Sequence, residues 1–226
     1  MADSTSDIAA SVEDIAPEWL TFHTAAEWGA EWKRPPVAER LNDAETYIHH
    51  GGGSRIATDH VKAMRGLQAW YHDTKNYSAI AYDVMVHLNV DDGTVAILGA
   101  RENWLTAATK DRNDTGEAIC LFGNFHPGSS LSEQPTEREI EALAFAVAWS
   151  IEQGWSAPDT KVLGHRDNPA HPGATSCPGD SLYPHVAGIG ERAQELLRIA
   201  NAPAEQSAPS TDLEEDDDMS KQYLWR

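Results

Sequence analysis

The chain has 226 residues, 41% of them hydrophobic, which is enough to bury the core of one domain. Its formal net charge is −19 and it contains no basic stripe, so the electrostatic footprint of a nucleic-acid-binding protein is missing. No apolar run approaches the ~18 residues of a membrane-spanning helix, so we expect no membrane span.

Both ends of the chain are acidic and poor in large apolar residues. Residues 1–16 are predicted to form a flexible acidic arm. Residues 201–226, which combine Ala, Pro and Ser with acidic side chains, are predicted to form a disordered tail. The folded domain is therefore expected at residues 17–200. The first residues show neither the basic nor the apolar region of a secretory signal, so we expect synthesis in the cytoplasm.

The first half of the expected domain alternates between strand and helix patterns. Residues 45–49 are predicted to form a buried strand, and residues 58–71 a helix with Thr58 as its N-cap. The β-branched run at 79–90, an Asp-Asp-Gly turn signal and a second strand at 94–98 predict a β-hairpin.

The second half continues the alternation. A further strand is expected at residues 117–122, and the clearest helix begins at Thr136, which forms a capping box with Glu139 three positions later. A short strand at 161–163 and a last helix at 186–199 follow. Strands interleaved with helices predict an α/β fold, a single domain with a central mixed β-sheet flanked by helices.

Histidine and cysteine side chains form the most informative pattern. His165 and Cys177 stand on either side of a Pro/Gly-rich loop, and the strand at 45–49 leads into His49 and His50. Two histidines and one cysteine make a three-ligand zinc site that leaves the fourth tetrahedral position open, as catalytic zinc sites do. Adjacent strand residues face opposite ways, so only one of His49 and His50 can join the site, and alternation does not choose between them. The pattern predicts zinc-dependent hydrolysis.

A disulfide and a structural metal site are the two alternative uses of these residues. Cys120 and Cys177 are the only cysteines, so one disulfide is arithmetically possible. It is the weaker interpretation, because Cys120 lies in an apolar strand pattern and Cys177 in a glycine loop. A structural metal site would normally close the fourth position with another Cys or His.

Several motifs occur in a fixed order between residues 26 and 197. They are Glu27-Trp28-Gly29-Ala30, Tyr47-Ile48-His49-His50, the strand from Ile80 to Val86, Gly123-Asn124-Phe125, Gly164-His165-Arg166-Asp167 and the run from Thr175 to Tyr183. Together they resemble the zinc-dependent N-acetylmuramoyl-L-alanine amidases of the type-2 amidase and peptidoglycan-recognition-protein superfamily, which includes many phage endolysins. The resemblance implies the fold of that superfamily.

The resemblance also implies roles for single residues. It makes His49, the first histidine of the pair, a zinc ligand together with His165 and Cys177. It places Tyr82 on the family's catalytic tyrosine and Thr175 on the residue two before the third ligand. Both hydroxyls would supply or position hydrogen bonds to a tetrahedral oxyanion. From the residues alone, Tyr82 in an apolar strand would be a core tyrosine.

The function implied is zinc-dependent hydrolysis of the amide bond between N-acetylmuramic acid and L-alanine in bacterial peptidoglycan, by a phage endolysin or lysin that reaches the cell wall after release. A cytoplasmic recycling enzyme is the alternative location. A non-catalytic peptidoglycan-binding module is the alternative function, although such members typically lack the cysteine ligand. We expect a monomer with Zn²⁺ as cofactor and no nucleic-acid partner.

The sequence departs from many relatives in two places. The loop between His165 and Cys177 is longer, by an insertion within residues 168–174. Relatives often carry a histidine shortly before the Gly-Asn-Phe motif, where this chain has Leu105 to Thr109. Substrate contacts are therefore not assigned to that segment.

Overall fold

The fold is described from a computed structural model, which covers residues 10–41, 45–128 and 132–202. Its described part has six strands, β1 (Leu20–His23), β2 (Glu45–His50), β3 (Val84–Leu88), β4 (Val95–Gly99), β5 (Glu117–Leu121) and β6 (Lys161–Gly164). Its helices are α1 (Ala25–Trp28), α2 (His60–Asp73), α3 (Glu137–Glu152) and α4 (Val186–Ala200), with 3-10 turns at His165–Asp167 and Tyr183–His185.

The strands form one mixed sheet in the order β1-β4-β3-β5-β2-β6. Only β3 and β4 pair antiparallel, as the predicted hairpin, and the other described pairs are parallel. The predicted α/β fold with a central mixed sheet and flanking helices is confirmed. In parallel pairs the carboxyl ends of neighbouring strands meet at the same edge, which brings the ends of β2, β5 and β6 together.

The hairpin's first strand is shorter than the β-branched run at 79–90 predicts, because it begins only at Val84. The carbonyls of Ala79 and Ile80 accept hydrogen bonds from the Arg101 guanidinium, at 3.4 and 2.5 Å. A side chain from the turn beyond β4 therefore occupies backbone acceptors that would otherwise extend the strand ladder.

The residue that caps the N-terminus is predicted correctly for α3 but not for α2. The capping box of α3 is confirmed, with the Thr136 hydroxyl accepting from the Glu139 amide at 3.2 Å and the Glu139 carboxylate accepting from the Thr136 amide at 2.8 Å. The predicted N-cap Thr58 is wrong, because α2 begins at His60 and its cap is Asp59. The Asp59 carboxylate accepts from the Lys62 amide at 3.0 Å.

Apolar side chains cover both faces of the sheet. On one face Ile48 and Val84 belong to the core that α3 and α4 complete. On the other face Met85 and Cys120 pack against α2 and Trp28. Because side chains alternate along a strand, this arrangement fixes which way each β2 residue points.

The expected flexible arm is wrong for residues 10–16. Val12 is fully buried in the core, and its amide donates to the Glu152 carboxylate at 2.9 Å. The Trp149 indole donates to Glu13 at 2.8 Å. These contacts with α3 could not be read from local composition. Residues 1–9, and the expected disordered tail from residue 203 onward, lie outside the described residues.

Neither of the chain's two cysteines forms a disulfide, so the weaker interpretation of Cys120 and Cys177 is wrong. Among the helices of the described ranges, none combines the length and the apolar character needed to cross a membrane.

Candidate metal centre

The three predicted metal ligands converge at one edge of the sheet. β2 supplies His49, and His165 directly follows β6, which pairs with β2 in a register that sets Ile48 opposite Gly164. The loop after His165 returns Cys177 to the same place. The ligand atoms of the three residues all lie within 4.8 Å of one another. The Nδ1 atom of His49 is 3.7 Å from the Sγ atom of Cys177, and the two histidine rings have centroids 4.4 Å apart.

The sheet also decides between the two adjacent histidines. Ile48 faces the core beneath α3 and α4, so His49 points to the opposite face, as does Cys120, its partner in the register. His50 turns away, and its Nδ1 accepts a hydrogen bond from the Phe125 amide at 3.2 Å. His49 is therefore the residue that meets His165 and Cys177.

The donor set fits a zinc ion. With ~2.1 Å to nitrogen and ~2.3 Å to sulfur, tetrahedral zinc places two such ligand atoms about 3.6 Å apart. The observed distance of 3.7 Å between His49 Nδ1 and Cys177 Sγ is close to that value. Imidazole and thiolate suit zinc and disfavour magnesium or calcium, whose ligands are oxygens. Within the described ranges, this is the one group of three or more potential ligands gathered so closely.

The ionisation states of the ligands favour a cation at this place. Burial, with the nearby His165 and His50, lowers the pKa of His49 well below 6.5, and burial lowers the pKa of His165 as well. Both imidazoles are therefore neutral and offer a lone pair. Burial raises the pKa of the Cys177 thiol to about 12, so a bound cation must stabilise the thiolate, and binding must release a proton.

Thr109 orients the first histidine, a contact that the sequence interpretation missed. Its hydroxyl oxygen lies 3.0 Å from His49 Nε2, and the residue is fully buried. With the Nε2 hydrogen donated to Thr109, the lone pair of Nδ1 faces Cys177, which is the tautomer a ligand needs. The Asn113 side-chain oxygen holds this loop by accepting from the amides of Ala108 and Thr109 at 2.9 and 2.8 Å. The only sequence signal was the Thr-x-x-x-Asn spacing.

Hydrogen bonds and an ion pair hold the loop that carries Cys177. The Arg166 amide donates to the Cys177 carbonyl at 2.9 Å, and the Arg166 guanidinium hydrogen-bonds the Ser176 carbonyl and pairs with Asp180 at 2.7 Å. The His50 amide donates to the Cys177 sulfur at 3.4 Å, which favours its charged form. Side chains and backbone thus fix the sulfur before any ion binds.

Tyr82 lies where it could act on a group bound at the centre. Its ring centroid is 5.2 Å from that of His49, and the side chain is partly buried. Burial raises the pKa of Tyr82 well above 10, so the phenol stays protonated and can donate a hydrogen bond. Its contact with the centre distinguishes it from a purely core tyrosine.

Tyr82 also lines a cleft of about 410 Å³, within the usual size range of ligand sites. Aromatic residues and glycines make up much of its lining, among them Gly51, Trp70, Tyr71, Tyr77, Phe122 and Gly123. Lys75 brings a cation to it, with its Nζ atom 5.0 Å from the Trp70 ring centroid. We refer to it below as the aromatic cleft.

Thr175, the other predicted catalytic residue, lies beside Cys177. Its hydroxyl oxygen accepts from the Cys177 amide at 3.1 Å. It does not line the aromatic cleft but a second, smaller cavity next to His165. The structure therefore brings both predicted hydroxyl groups near the ligands, through different cavities.

The chain belongs to the type-2 amidase family, whose model, described as N-acetylmuramoyl-L-alanine amidase, matches residues 44–180. It is 30% identical over 168 residues to the N-acetylmuramoyl-L-alanine amidase of Sus scrofa, covering 72% of this chain and 26% of that protein. It is 25% identical over 167 residues to peptidoglycan-recognition protein LB of Drosophila melanogaster, covering 72% of this chain and 66% of that protein. The chain thus spans between about a quarter and two thirds of the length of these relatives.

Solved structures show the same fold. Wild-type Drosophila PGRP-LB superimposes with a TM-score of 0.60 at 25% identity, covering 74% of this chain and 93% of that one. The resemblance to the type-2 amidase and peptidoglycan-recognition superfamily is confirmed. These relatives carry the names of an N-acetylmuramoyl-L-alanine amidase and of a peptidoglycan-recognition protein.

Proposed function

We propose that this protein is a zinc-dependent amidase that hydrolyses the bond between the lactyl group of N-acetylmuramic acid and L-alanine in peptidoglycan. The observation that carries the proposal is the meeting of His49, His165 and Cys177 within 4.8 Å, beside a cleft large enough for a substrate. Hydrolysis adds one water across the amide, which leaves a carboxylate on the lactyl group and a free amine on alanine.

His49, His165 and Cys177 would hold the zinc ion, a set of three protein ligands such as catalytic zinc sites use. When bound, zinc supplies Lewis-acid polarisation of the amide carbonyl and lowers the pKa of water. Thr109 would accept the Nε2 hydrogen of His49, which leaves the Nδ1 lone pair for the metal.

Tyr82 stabilises the negative charge that develops on the carbonyl oxygen. Because its phenol stays protonated, it donates a hydrogen bond to that oxygen as the carbon becomes tetrahedral. One donor of this kind commonly contributes ~10²–10³ in rate. Thr175 accepts from the Cys177 amide and keeps its own hydroxyl hydrogen, which it can donate to the same reacting group.

The aromatic cleft would hold the peptide stem on the nitrogen side of the amide. Its aromatic walls suit the methyl groups and the extended backbone of such a peptide, and Lys75 suits a stem carboxylate. With a net charge of −19, the protein gains no bulk electrostatic attraction to anionic wall polymers. Recognition therefore depends on the cleft.

A peptidoglycan-binding module without catalysis is the second candidate, favoured by relatives that carry the name of recognition proteins. A zinc titration separates the two. The metal-free protein is given increasing zinc and assayed for new amine from a synthetic muramyl dipeptide. An amidase gains rate in proportion to bound zinc up to one ion per chain, whereas a recognition module binds substrate with no amine released.

We further propose that the protein acts on the cell wall as a phage endolysin or related lysin, and as a monomer. The resemblance of its motifs to those of phage endolysins supports this role. Digestion of intact sacculi faster than soluble wall fragments is the expected result. The opposite preference would favour the alternative, a cytoplasmic recycling enzyme, and light scattering on a sizing column would report the oligomeric state.

A further inference from the structure

The segment that carries Tyr82 precedes β3, and its backbone bonds to the turn and loop that follow β4. The carbonyl of Ala81 accepts a hydrogen bond from the Ala107 amide at 2.9 Å. The carbonyl of Tyr82 accepts from the Arg101 amide at 3.1 Å. We refer to residues 79–82 as the Tyr82 segment.

Arg101 holds the Tyr82 segment with its side chain as well as with its amide. The residue is only 7% exposed, and each of its three guanidinium nitrogens donates to a different carbonyl. Nε donates to Ile80 at 2.5 Å, Nη2 to Ala79 at 3.4 Å and Nη1 to Leu105 at 2.5 Å. Two of these acceptors belong to the Tyr82 segment, and the third belongs to the loop beyond the turn. One buried guanidinium therefore joins the two stretches of chain.

The loop at Leu105 leads to the metal centre. Four residues further on, the Thr109 hydroxyl oxygen lies 3.0 Å from His49 Nε2. The Tyr82 ring reaches the same histidine from the other stretch, with ring centroids 5.2 Å apart. The guanidinium thus ties together the two stretches that contact His49, one through a phenol ring and one through a hydroxyl group.

A guanidinium suits this position better than another cation. Its planar fork holds donors at fixed angles and can serve acceptors on several sides, whereas a lysine ammonium is a compact point charge. The Trp32 ring lies beside it, with 5.5 Å between the Arg101 Cζ atom and the ring centroid. Both residues line a cavity of about 170 Å³ that shares no lining residue with the aromatic cleft.

We propose that Arg101 is a positioning residue, whose guanidinium sets the Tyr82 phenol against the metal ligands. This role rests on the proposed amidase function, in which Tyr82 donates to the carbonyl oxygen. Arg101 lines neither cavity at the centre, so it acts through Tyr82 and not on the substrate. A displacement of about 1 Å in a reacting group can lower the rate by ~10²-fold. Zinc should stay bound without the guanidinium, because the Asn113 side chain holds the Thr109 amide separately at 2.8 Å.

The kinetics of Arg101→Ala measure the effect on amine release from a synthetic muramyl peptide. We expect kcat to fall by ~10²-fold with little change in KM, and zinc to remain near one ion per chain. In a Tyr82→Phe background the same substitution should lower kcat by less than about threefold, because the phenol that it positions is already gone. Losses that multiply in the double variant would show that Arg101 acts independently of Tyr82 and would overturn the proposal.

Added methylguanidinium tests whether the lost fork is the cause. This small cation should enter the 170 Å³ cavity beside residue 101 and raise the kcat of Arg101→Ala by about tenfold, whereas urea at the same concentration should not. Leu196→Ala is the control for lost stability, because Leu196 is buried in the core that α3 and α4 complete. It should lower the unfolding midpoint, keep kcat within about twofold and gain nothing from methylguanidinium. The absence of rescue, or an equal gain in Leu196→Ala, would contradict the positioning role.

Arg101→Lys provides a second variant that keeps the buried charge, and it carries the test if Arg101→Ala fails to fold. Its ammonium cannot reproduce the fork, so its kcat should also fall, and the fall should again shrink in the Tyr82→Phe background. Wild-type kcat in Arg101→Lys would show that the charge alone suffices and that the bridging geometry has no role.

A measurement without turnover separates this role from the proposed function. If the wild type releases no amine, the proposed function fails, and NMR of ring-labelled tyrosine in the metal-free protein still decides where Tyr82 is held. The chain has six tyrosines, and Tyr82→Phe identifies the signal of this one. That signal should shift in Arg101→Ala, return on addition of methylguanidinium and stay in place in Leu196→Ala. An unchanged signal in Arg101→Ala, or the same shift in Leu196→Ala, would overturn the proposal.

Discussion

His49 Nδ1 lies 3.7 Å from Cys177 Sγ, although 128 positions separate the two residues in the chain. The contact depends on β2 pairing with β6 and on the His165–Asp167 turn that follows. It also depends on the hydrogen bond from the Arg166 amide to the Cys177 carbonyl. Because Cys120 and Cys177 are both free, the sulfur is available to a metal ion.

Removing a ligand is predicted to remove zinc and activity together. Cys177→Ala and His165→Ala each leave two ligands, too few for a stable catalytic site, so bound zinc should fall well below one ion per chain. Elemental analysis and amine release on the same samples measure both effects. Cys120→Ala is the control, since it deletes the other thiol and should keep one zinc. Full activity in either ligand variant would show that the metal centre is wrongly assigned.

Tyr82→Phe is predicted to separate zinc binding from catalysis. The variant keeps the ring beside His49 and loses only the hydroxyl hydrogen bond, so kcat should fall by ~10²–10³ with little change in KM. Steady-state kinetics and zinc content on one preparation measure the two properties. An undiminished kcat would show that Tyr82 only packs in the core, as its apolar strand suggests.

Thr109→Val is predicted to weaken zinc binding through His49. The valine keeps the buried shape but cannot accept the Nε2 hydrogen, and loss of such a partner typically lowers metal affinity by ~10–100-fold. Competition with a chelator of known affinity measures this directly, and the spectrum of the cobalt-substituted protein reports the ligand geometry. Thr109→Ser should restore most of the affinity, and equal affinities for all three proteins would exclude the orienting role.

The His60–His87 pair is predicted to make stability depend on pH. The two Nδ1 atoms are 2.8 Å apart, and burial lowers the pKa of His87 from 6.5 to about 4 and that of His60 in the same direction. Between pH 6.5 and 4 the unfolded chain therefore binds more protons than the folded one, and the free energy of unfolding falls as pH falls. The contribution of His87 is complete above pH 6.5 and its loss approaches about 3 kcal/mol near pH 4.

Denaturant unfolding of the wild type and His87→Gln at several pH values checks this. The difference between the two proteins isolates His87 from the other buried histidines. The wild type should lose stability relative to the variant as the solution is acidified through pH 6.5 to 4. Parallel pH profiles would mean that the pair carries no such penalty.

Local sequence patterns predicted the elements of the fold, and the family resemblance predicted the three distant metal ligands. Other contacts between distant residues could not be predicted. The α3 capping box was placed correctly, because Thr136 and Glu139 are three residues apart. Alternation along the strand left the choice between His49 and His50 open, and the family resemblance favoured His49. The physical reason is the face on which Ile48 packs, which only the assembled sheet defines. The hydrogen bond from the Val12 amide to Glu152 joins residues 140 positions apart. Composition alone therefore predicted a flexible arm for that segment.

The proposed reaction is tested most directly by the products released from purified sacculi. The protein is incubated with sacculi, with and without a zinc chelator, and the soluble products are identified by mass spectrometry. Free stem peptides that begin with L-alanine, lost on chelation and restored by added zinc, are the predicted result. Intact muropeptides, with the protein still bound to the sacculi, would contradict amidase activity and identify a recognition module.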